Sequence, residues 1–306
     1  MKYIFALLIL VLISFQLNAQ SSSLYNQKEI IYGRKDGMAL TMLMLTPKNN
    51  RNGKAIINLV SGGWYTRYEW LPNYTKNAEI FLKRGYTVFL VMPSGRPMFN
   101  ILDGIEDAKR SVRFVRFHSP EYKIDPTHIG ITGTSSGGQL SLAVATDDDK
   151  ADRDSKDPVE RVSCRVQAAA CFYPPSDFLN WGNIKVNPEN KYMLDQSDVY
   201  SAFDFKEWDP NHKNFVLISD PDKLKEIYKK ISPIYQVSPD DPPVLLAHGD
   251  ADAVVPFSQS EKLIEKLKKE NIICGLLVKQ GGGHGGWNDE AIYENKFADW
   301  FDLYLK

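Results

Sequence analysis

Short continuous apolar runs recur along this chain and predict a sheet whose strands are covered on both faces. Runs of four to seven residues are too short for most helices, and they lack the alternation of a half-exposed strand. They lie at residues 55–60, 87–92, 129–132, 166–172, 244–247 and 272–278. Two earlier segments, 29–33 and 40–45, predict an opening pair of strands joined by the turn Lys35-Asp36-Gly37.

Segments with helical periodicity separate several of these runs. The clearest covers residues 103–118, with apolar side chains on one face and basic side chains elsewhere. Further helices are predicted over 74–84, 258–270 and 289–305. Two strands followed by alternating strands and helices predict an α/β fold, with a mostly parallel central sheet and helices on both faces.

The alternation of strands and helices stops between about residues 176 and 237. No strand is predicted there, although aromatic residues are frequent: Trp181, Tyr192, Tyr200, Phe203, Phe205, Trp208 and Phe215. We interpret this interval as an inserted cap that walls or covers a functional site. A few peripheral helices packed on the core are the alternative.

The first 19 residues have the features of a targeting signal. Lys2 precedes a thirteen-residue apolar stretch at 3–15, which suits a signal peptide and is short for a bilayer span. Cleavage is predicted after Ala19, leaving one domain over 20–306. Leu17 is larger than the small residue expected three positions before the cut, so a shifted boundary or a retained anchor stays open. The mature protein is expected to be periplasmic or extracellular, without stable membrane insertion.

Charge and cysteine content exclude some classes of function. The 37 basic and 38 acidic side chains give a formal net charge of −1, with no long basic block, so nucleic acid is not an expected partner. Cys164 and Cys171 are too far apart along one predicted strand to bridge each other, and buried free thiols are expected. A bridge from Cys274 to either one stays open. No Cys/His spacing indicates a metal site, and no cofactor is predicted.

A glycine-rich segment lies where an apolar strand ends and a helix should begin. The strand at 129–132 is followed by Gly133-Thr134-Ser135-Ser136-Gly137-Gly138, and then by small apolar residues over 140–145. A serine at this turn has strained backbone angles, which require that residues two before and two after it lack a Cβ. The spacing predicts that Ser135 is a nucleophile exposed above the sheet edge. An ordinary glycine- and serine-rich loop is the alternative.

A serine nucleophile needs a base within hydrogen-bond reach and an acid that orients the base. Among five histidines, His284 is the predicted base because glycines flank it between the last strand and the last helix. His248 ends a strand and is expected to brace the following loop. Asp252 is the predicted acid because it begins the turn into the next helix, and Asp250 is the alternative.

Acyl transfer also needs backbone N–H groups that stabilise an oxyanion. Ser136 supplies one of them at the start of the predicted helix. The loop Val60-Ser61-Gly62-Gly63-Trp64-Tyr65 follows the third strand, and its paired glycines let a peptide N–H approach the substrate. Gly63 or Trp64 is therefore the predicted second donor, and a simple turn is the alternative.

These motifs together resemble those of α/β-hydrolases of the secreted esterase and lipase group, which includes acetylxylan and feruloyl esterase-like enzymes. The order of serine, acid and histidine is the one associated with that fold. The resemblance covers most of the mature chain and is carried by residues 122–126, 133–138, 248–260 and 283–285. In that group the oxyanion loop usually begins with His-Gly-Gly, whereas Ser61 stands here in place of the histidine, so the bonding that braces the loop must differ.

The resemblance implies a secreted serine ester hydrolase with a Ser-His-Asp triad and no cofactor. Tyr65, Trp70 and Trp181 are the predicted substrate-binding residues, since aromatic rings stack on sugars or aryl acids. Simple packing of these rings is the alternative. An acylated plant-type polysaccharide is the expected substrate. A serine peptidase of the prolyl oligopeptidase type, whose large amino-terminal propeller has no counterpart here, is the second hypothesis. A non-catalytic binding protein is the third.

Overall fold

The computed structural model describes residues 24–149, 151–190 and 199–306. The predicted signal segment, residues 1–19, lies outside the described residues, as does residue 192 of the predicted cap. The described strands, numbered along the chain, are β1 (Tyr25–Lys35), β2 (Met38–Pro47), β3 (Ala55–Leu59), β4 (Thr87–Met92), β5 (Ile129–Thr134), β6 (Ala168–Phe172), β7 (Asn180–Trp181), β8 (Ile184–Lys185), β9 (Lys206–Asp209), β10 (Asn214–Leu217), β11 (Val244–Gly249) and β12 (Cys274–Lys279).

Seven α-helices accompany these strands in the described residues. They are α1 (Leu71–Lys83), α2 (Ile101–Phe117), α3 (Ser119–Tyr122), α4 (Ser136–Ala145), α5 (Pro221–Ile231), α6 (Ser258–Lys269) and α7 (Glu290–Tyr304). The helices predicted from periodicity are all present, as α1, α2, α6 and α7, and their bounds differ from the predicted ones by a few residues at most.

Eight strands form the central sheet in the order β1-β2-β4-β3-β5-β6-β11-β12. β2 is antiparallel to both of its neighbours, whereas all strands from β4 to β12 in this order are parallel. Every residue of β3, β4, β6 and β11 is buried, which is why these strands are continuous apolar runs. The predicted mostly parallel sheet is confirmed.

Two hydrophobic layers cover the sheet, one on each face. Alternate residues of β3 enter opposite layers, since Ile57 packs in one and Ile56 in the other. Buried residues of α2, α4 and α6 belong to the first layer, and those of α1 and α7 to the second. The helices therefore lie on both faces, as predicted, and the carboxyl ends of the parallel strands are left for loops.

The interval between β6 and β11 contains more regular structure than the sequence predicted. β7 pairs with β8 and β9 pairs with β10, each as a two-stranded antiparallel unit outside the central sheet. These strands were missed because they are two to four residues long and largely exposed, and because the apolar run Phe215-Val216-Leu217-Ile218 at β10 was not recognised as a strand. Helix α5 begins at the side-chain cap Asp220 and buries Leu224, Tyr228 and Ile231 against the core.

The three cysteines are free thiols, and Cys164 and Cys171 are buried. Cys164 does not lie along a strand, because β6 begins only at Ala168; instead its backbone N–H donates to Asp149 at 2.8 Å. The expectation of free thiols therefore holds, although the strand placement of Cys164 was wrong. In the part of the chain that the structure covers, no helix is long and apolar enough to cross a membrane.

Candidate active site

Ser135 occupies the sharp turn between β5 and α4. Its φ of 53° is in the left-handed region, which residues other than glycine rarely adopt. A Cβ on Gly133 would lie 2.4 Å from the carbonyl oxygen of Gly137, and a Cβ on Gly137 would lie 2.5 Å from that of Leu59. The two glycines therefore permit the close backbone approach that the sequence predicted, and the turn presents Ser135 at the carboxyl edge of the sheet.

We expect Gly137→Ala to disrupt this turn. The added methyl group would overlap the carbonyl of Leu59, the last residue of β3, which is held between β4 and β5 and cannot easily move away. The substitution should lower the free energy of unfolding by about 3 kcal/mol. Gly283→Ala is the control, because a methyl group there would meet no atom within 4 Å and the φ of Gly283 is not positive. Chemical denaturation of the two variants measures the difference, and equal stability would contradict the close approach.

Ser135, His284 and Asp252 form a continuous hydrogen-bond chain. Ser135 Oγ lies 2.9 Å from His284 Nε2, and His284 Nδ1 lies 2.7 Å from Asp252 Oδ2. A carboxylate can only accept hydrogen bonds, so His284 Nδ1–H must donate to Asp252. His284 Nε2 then accepts the hydrogen bond from the Ser135 hydroxyl. The structure thus brings together the three residues predicted as nucleophile, base and acid, from loops that follow β5, β12 and β11.

Asp252 is held as an anion by its surroundings. Its Oδ1 accepts hydrogen bonds from the backbone N–H groups of Val254 and Val255 at 2.8 and 2.9 Å. Burial alone would raise the pKa of Asp252, but hydrogen bonds from His248 and His284 and from Val255 outweigh it, so that pKa lies well below its usual range. A carboxylate in this state can stabilise a positive charge on the His284 ring.

The other two candidates in this loop have supporting positions. The exposed Asp250 accepts a hydrogen bond from the Gly281 N–H at 2.6 Å. His248 is fully buried, with Nδ1 2.7 Å from Ser260 Oγ and Nε2 3.0 Å from the Val255 carbonyl oxygen. His248 therefore braces the loop that carries Asp252, as the sequence predicted, and Asp250 fastens the loop before His284.

Residues 62–65 form a tight turn beside the serine. Gly62 and Tyr65 exchange two backbone hydrogen bonds, at 2.9 and 3.0 Å, and the central residues Gly63 and Trp64 have φ values of 56° and 55°. This is a type I′ turn. Among the described groups, the N–H groups of Gly63, Trp64 and Ser136 have no hydrogen-bond acceptor. They are the backbone donors that the sequence predicted for an oxyanion.

Hydrogen bonds from Ser61 and Arg96 brace this turn, and Ser61 stands just before it in place of the usual histidine. Ser61 Oγ lies 3.0 Å from Ser136 Oγ, and both side chains are buried. On the other side, Arg96 Nε donates to the Gly63 carbonyl at 2.8 Å and the Arg96 N–H donates to the Trp64 carbonyl at 2.9 Å. A serine pair and an arginine therefore hold the peptide planes in this loop.

A cavity of about 570 Å³ opens above Ser135, within the range of small-molecule sites. Its lining includes Ser135, His284, residues 62–64 and several aromatic residues. Trp70 and Trp181, two of the three predicted substrate-binding residues, are in the lining, whereas the third, Tyr65, is not. The structure places the Tyr65 ring 6.1 Å from Trp70 and beneath the Arg67 and Arg96 guanidinium groups, where it lines a neighbouring cleft.

Sequence reasoning missed several residues that line this cavity, among them Arg96, Tyr173 and Phe178, and it noted Phe203 only as an aromatic residue of the predicted cap. Tyr173 follows β6 directly and packs its ring 4.5 Å from that of His284. Burial raises its pKa well above the usual value, so the phenol stays neutral. The usable signal was position, because Arg96 and Tyr173 both follow parallel strands at the edge that carries Ser135.

A small cavity of about 40 Å³ beside the end of β5 includes Asn58, Glu290 and Glu294 in its lining. Asn58 Oδ1 is buried without a hydrogen-bond partner among the described groups. Burial, with a smaller contribution from the charge of Glu290, raises the pKa of Glu294 to about 7. The cavity therefore disfavours a charged carboxylate at neutral pH.

Glu294→Gln is expected to stabilise the protein above pH 7 and to change nothing below about pH 4, near the ordinary Glu pKa. The raised pKa means that the folded state binds more protons than the unfolded state between these values, so wild-type stability falls as pH rises and the neutral amide escapes that loss. We expect Tm at pH 8 to rise by a few degrees. Glu265→Gln is the control, because Glu265 is exposed. A pH–Tm curve for Glu294→Gln that runs parallel to the wild-type curve would contradict the raised pKa of Glu294.

A protein-family model, BD-FAE, matches residues 42–267. Among curated proteins, the chain is 32% identical over 168 residues to the probable carboxylic ester hydrolase LipM of Mycobacterium tuberculosis, covering 55% of this chain and 34% of that protein. The chain spans about one third to one half the length of the curated relatives at the top of this comparison.

Solved structures share the fold over nearly the whole chain. A truncated form of a carbohydrate esterase from gut microbiota superposes with a TM-score of 0.75 at 24% identity, covering 93% of this chain and 98% of that one. An acetyl ester-xyloside bifunctional hydrolase from Caldicellulosiruptor lactoaceticus gives a TM-score of 0.69 at 23% identity, covering 90% and 96%. These likenesses confirm the predicted α/β-hydrolase fold.

Proposed function

The chain belongs to the BD-FAE family, and we propose that it is a serine hydrolase that cleaves carboxylic esters. The observation that carries this proposal is the Ser135–His284–Asp252 hydrogen-bond chain, beside three backbone N–H groups that have no acceptor in the described part of the chain. Nucleophile, base, orienting acid and oxyanion donors are the parts that acyl transfer needs. Relatives named as ester hydrolases favour ester over other acyl substrates.

In the proposed acylation step, His284 Nε2 takes the proton of Ser135 while Oγ attacks the ester carbonyl. The carbonyl oxygen becomes an oxyanion that accepts hydrogen bonds from the N–H groups of Ser136 and of Gly63 or Trp64. Asp252 holds the Nδ1–H tautomer and stabilises the imidazolium. His284 then gives the proton to the leaving alcohol, whose bond to the carbonyl carbon breaks.

Deacylation uses the same groups in reverse. Water replaces the alcohol, His284 removes its proton, and the resulting hydroxide attacks the acyl carbon while the oxyanion returns to the same donors. The bond to Ser135 Oγ breaks, His284 returns the proton to the serine, and the carboxylic acid leaves. The cycle ends with the free serine and the neutral histidine from which it began.

We propose an acylated carbohydrate as the substrate. The cavity walls are largely aromatic, with Trp70, Trp181, Phe178 and Phe203 in the lining, and flat rings bind sugar faces and aryl groups. The carbohydrate esterase among the structural neighbours supports the same class. The predicted signal segment supports an exported enzyme, which would meet extracellular polysaccharide; Edman sequencing of the secreted protein would locate the cleavage site.

A panel of substrates tests this function. We expect the purified protein to release the acyl group from aryl acetates, acetylated xylan and feruloyl esters, each measured by initial rates at matched concentration. Peptide and aryl amides should be turned over at least about 100-fold more slowly, since the amine is a poorer leaving group. Amide turnover that exceeds ester turnover would replace this proposal by a peptidase.

A further inference from the structure

Trp64 has a backbone conformation that its side chain type disfavours. A positive φ of 55° at a bulky residue costs about 1–3 kcal/mol and persists only where the surroundings hold it. A two-residue type I′ turn is normally made with Gly or Asn at this position. Something beyond the turn must therefore keep Trp64 in place.

The indole of Trp64 is anchored in the protein interior. Its Nε1–H donates to Gln139 Oε1 at 2.8 Å, and its ring lies 5.6 Å from both Phe178 and Phe203. Trp64 is only 7% exposed and Gln139 is fully buried. A directional hydrogen bond of this kind fixes the ring orientation, which aromatic packing alone leaves free to slide.

Gln139 connects three parts of the molecule through its amide groups. Its side-chain Nε2 donates to the carbonyl oxygen of Ile231, the last residue of α5, at 2.8 Å. Its backbone N–H donates to the Ser135 carbonyl at 2.9 Å. One side chain on the nucleophile helix α4 thus joins the 62–65 turn to the carboxyl end of a helix between β6 and β11.

We propose that Gln139 is a positioning residue for the oxyanion donors and that it couples α5 to the 62–65 turn. This inference rests on the proposed ester hydrolysis. A shift of the Trp64 indole moves its N–H, and that of Gly63, relative to the Ser136 N–H. Because oxyanion donors act only at a matched distance, such a shift lowers transition-state stabilisation without removing substrate contacts.

A purely structural role for Gln139 predicts a different behaviour, and the chain contains a matched control. Gln259 on α6 is also fully buried. Its Nε2 donates to the carbonyls of Asp177 and Asn180, and its Oε1 accepts from the Ser176 and Asp177 N–H groups. Gln259 therefore anchors the other end of the same interval, without a described hydrogen bond to the 62–65 turn.

The experiment compares Gln139→Met, Gln259→Met, Trp64→Phe and the double variant Gln139→Met/Trp64→Phe. Methionine keeps the length of glutamine and removes its hydrogen bonds, and phenylalanine keeps the Trp64 backbone N–H while removing Nε1. We expect Gln139→Met and Trp64→Phe each to lower kcat for an aryl acetate by roughly 10- to 100-fold, with KM changed less than about threefold.

Two further readouts separate positioning from stability. The affinity for a trifluoromethyl ketone, whose adduct places an oxyanion at the donors, should fall in parallel with kcat in both variants. The double variant should lose no more than the worse single variant, because both substitutions break one interaction. Gln259→Met should lower Tm while kcat and ketone affinity stay at the wild-type values.

Wild-type kcat and ketone affinity in a folded Gln139→Met protein would overturn the inference, as would additive losses in the double variant or an equal kcat loss in Gln259→Met. A wild-type protein that neither turns over esters nor reacts with a fluorophosphonate would overturn the proposed function instead, and this inference with it. The wild-type assay therefore tells the two failures apart.

Discussion

Ser135→Ala is expected to lower kcat for ester hydrolysis by about 10⁵- to 10⁶-fold, the loss seen when a triad serine is removed. The substitution removes the only atom that the mechanism uses to form the acyl intermediate. Alanine keeps the Cβ at the φ of 53°, so the turn is not altered. Initial rates with a chromogenic acetate, at enzyme concentrations high enough to detect the residual rate, measure the effect.

Folding and binding are the controls for this variant. Tm should stay within a few degrees of wild type, because Ser135 Oγ has one described partner, His284 Nε2. The affinity for a non-hydrolysable ester analogue should also persist, since the cavity walls are untouched. Residual kcat within tenfold of wild type in a homogeneous preparation would show that another group performs the attack.

Asp252→Asn is expected to lower kcat by about 10⁴-fold, whereas Asp250→Asn should stay within about threefold of wild type. An amide at position 252 can present its NH₂ to His284 Nδ1, which favours the tautomer whose Nε2 carries the proton and cannot accept one from Ser135. It also removes the negative charge that stabilises the imidazolium. Steady-state kinetics of the two variants measure the contrast.

Asp250→Asn is a matched control for Asp252→Asn, because the two aspartates lie two residues apart in the same loop. Asp252 is buried and 2.7 Å from His284 Nδ1, while Asp250 is exposed and bonded to the Gly281 N–H. The Asp252→Asn defect should lie in kcat, with KM little changed. A larger loss in Asp250→Asn than in Asp252→Asn would assign the acid to the alternative that the sequence left open.

The parts of the site that sequence predicted best are those governed by short-range rules. The glycines at 133 and 137 have a steric reason at fixed spacing, and the contacts of 2.4 and 2.5 Å that a Cβ would make bear that reason out. His284 and Asp252 follow strands of a parallel sheet, and the carboxyl ends of such strands share one edge. Chain order and strand assignment were therefore enough to place Ser135, Asp252 and His284 together.

Contacts between distant segments could not be predicted in the same way. The bond from Trp64 to Gln139 joins residues 75 apart, and the bond from Gln139 to Ile231 joins residues 92 apart. No local sequence pattern identifies the hydrogen-bond partner of a glutamine or a tryptophan. The position of the Tyr65 side chain could not be predicted either, because this last residue of the tight turn lines a neighbouring cleft and not the cavity above Ser135.

The interval between β6 and β11 was only partly readable. Leu224, Tyr228 and Ile231 have the spacing of a helix face, so α5 carried a signal that the aromatic content of the interval obscured. The strands β7 to β9 carried little signal, since they are two to four residues long and mix polar with apolar residues. In β10 the exposed apolar run Phe215-Val216-Leu217 carried a signal that was not recognised. Short hairpins are stabilised by what they pack on rather than by their own pattern.

The central claim is that Ser135 is the nucleophile of an ester hydrolase, and locating a covalent adduct tests it most directly. Wild-type protein is treated with a fluorophosphonate, digested and analysed by tandem mass spectrometry, with Ser135→Ala treated in parallel. We predict one phosphonylated residue, Ser135, with loss of ester turnover that matches the extent of labelling, and no adduct in the variant. An adduct on another residue, or full labelling without loss of turnover, would contradict the assignment.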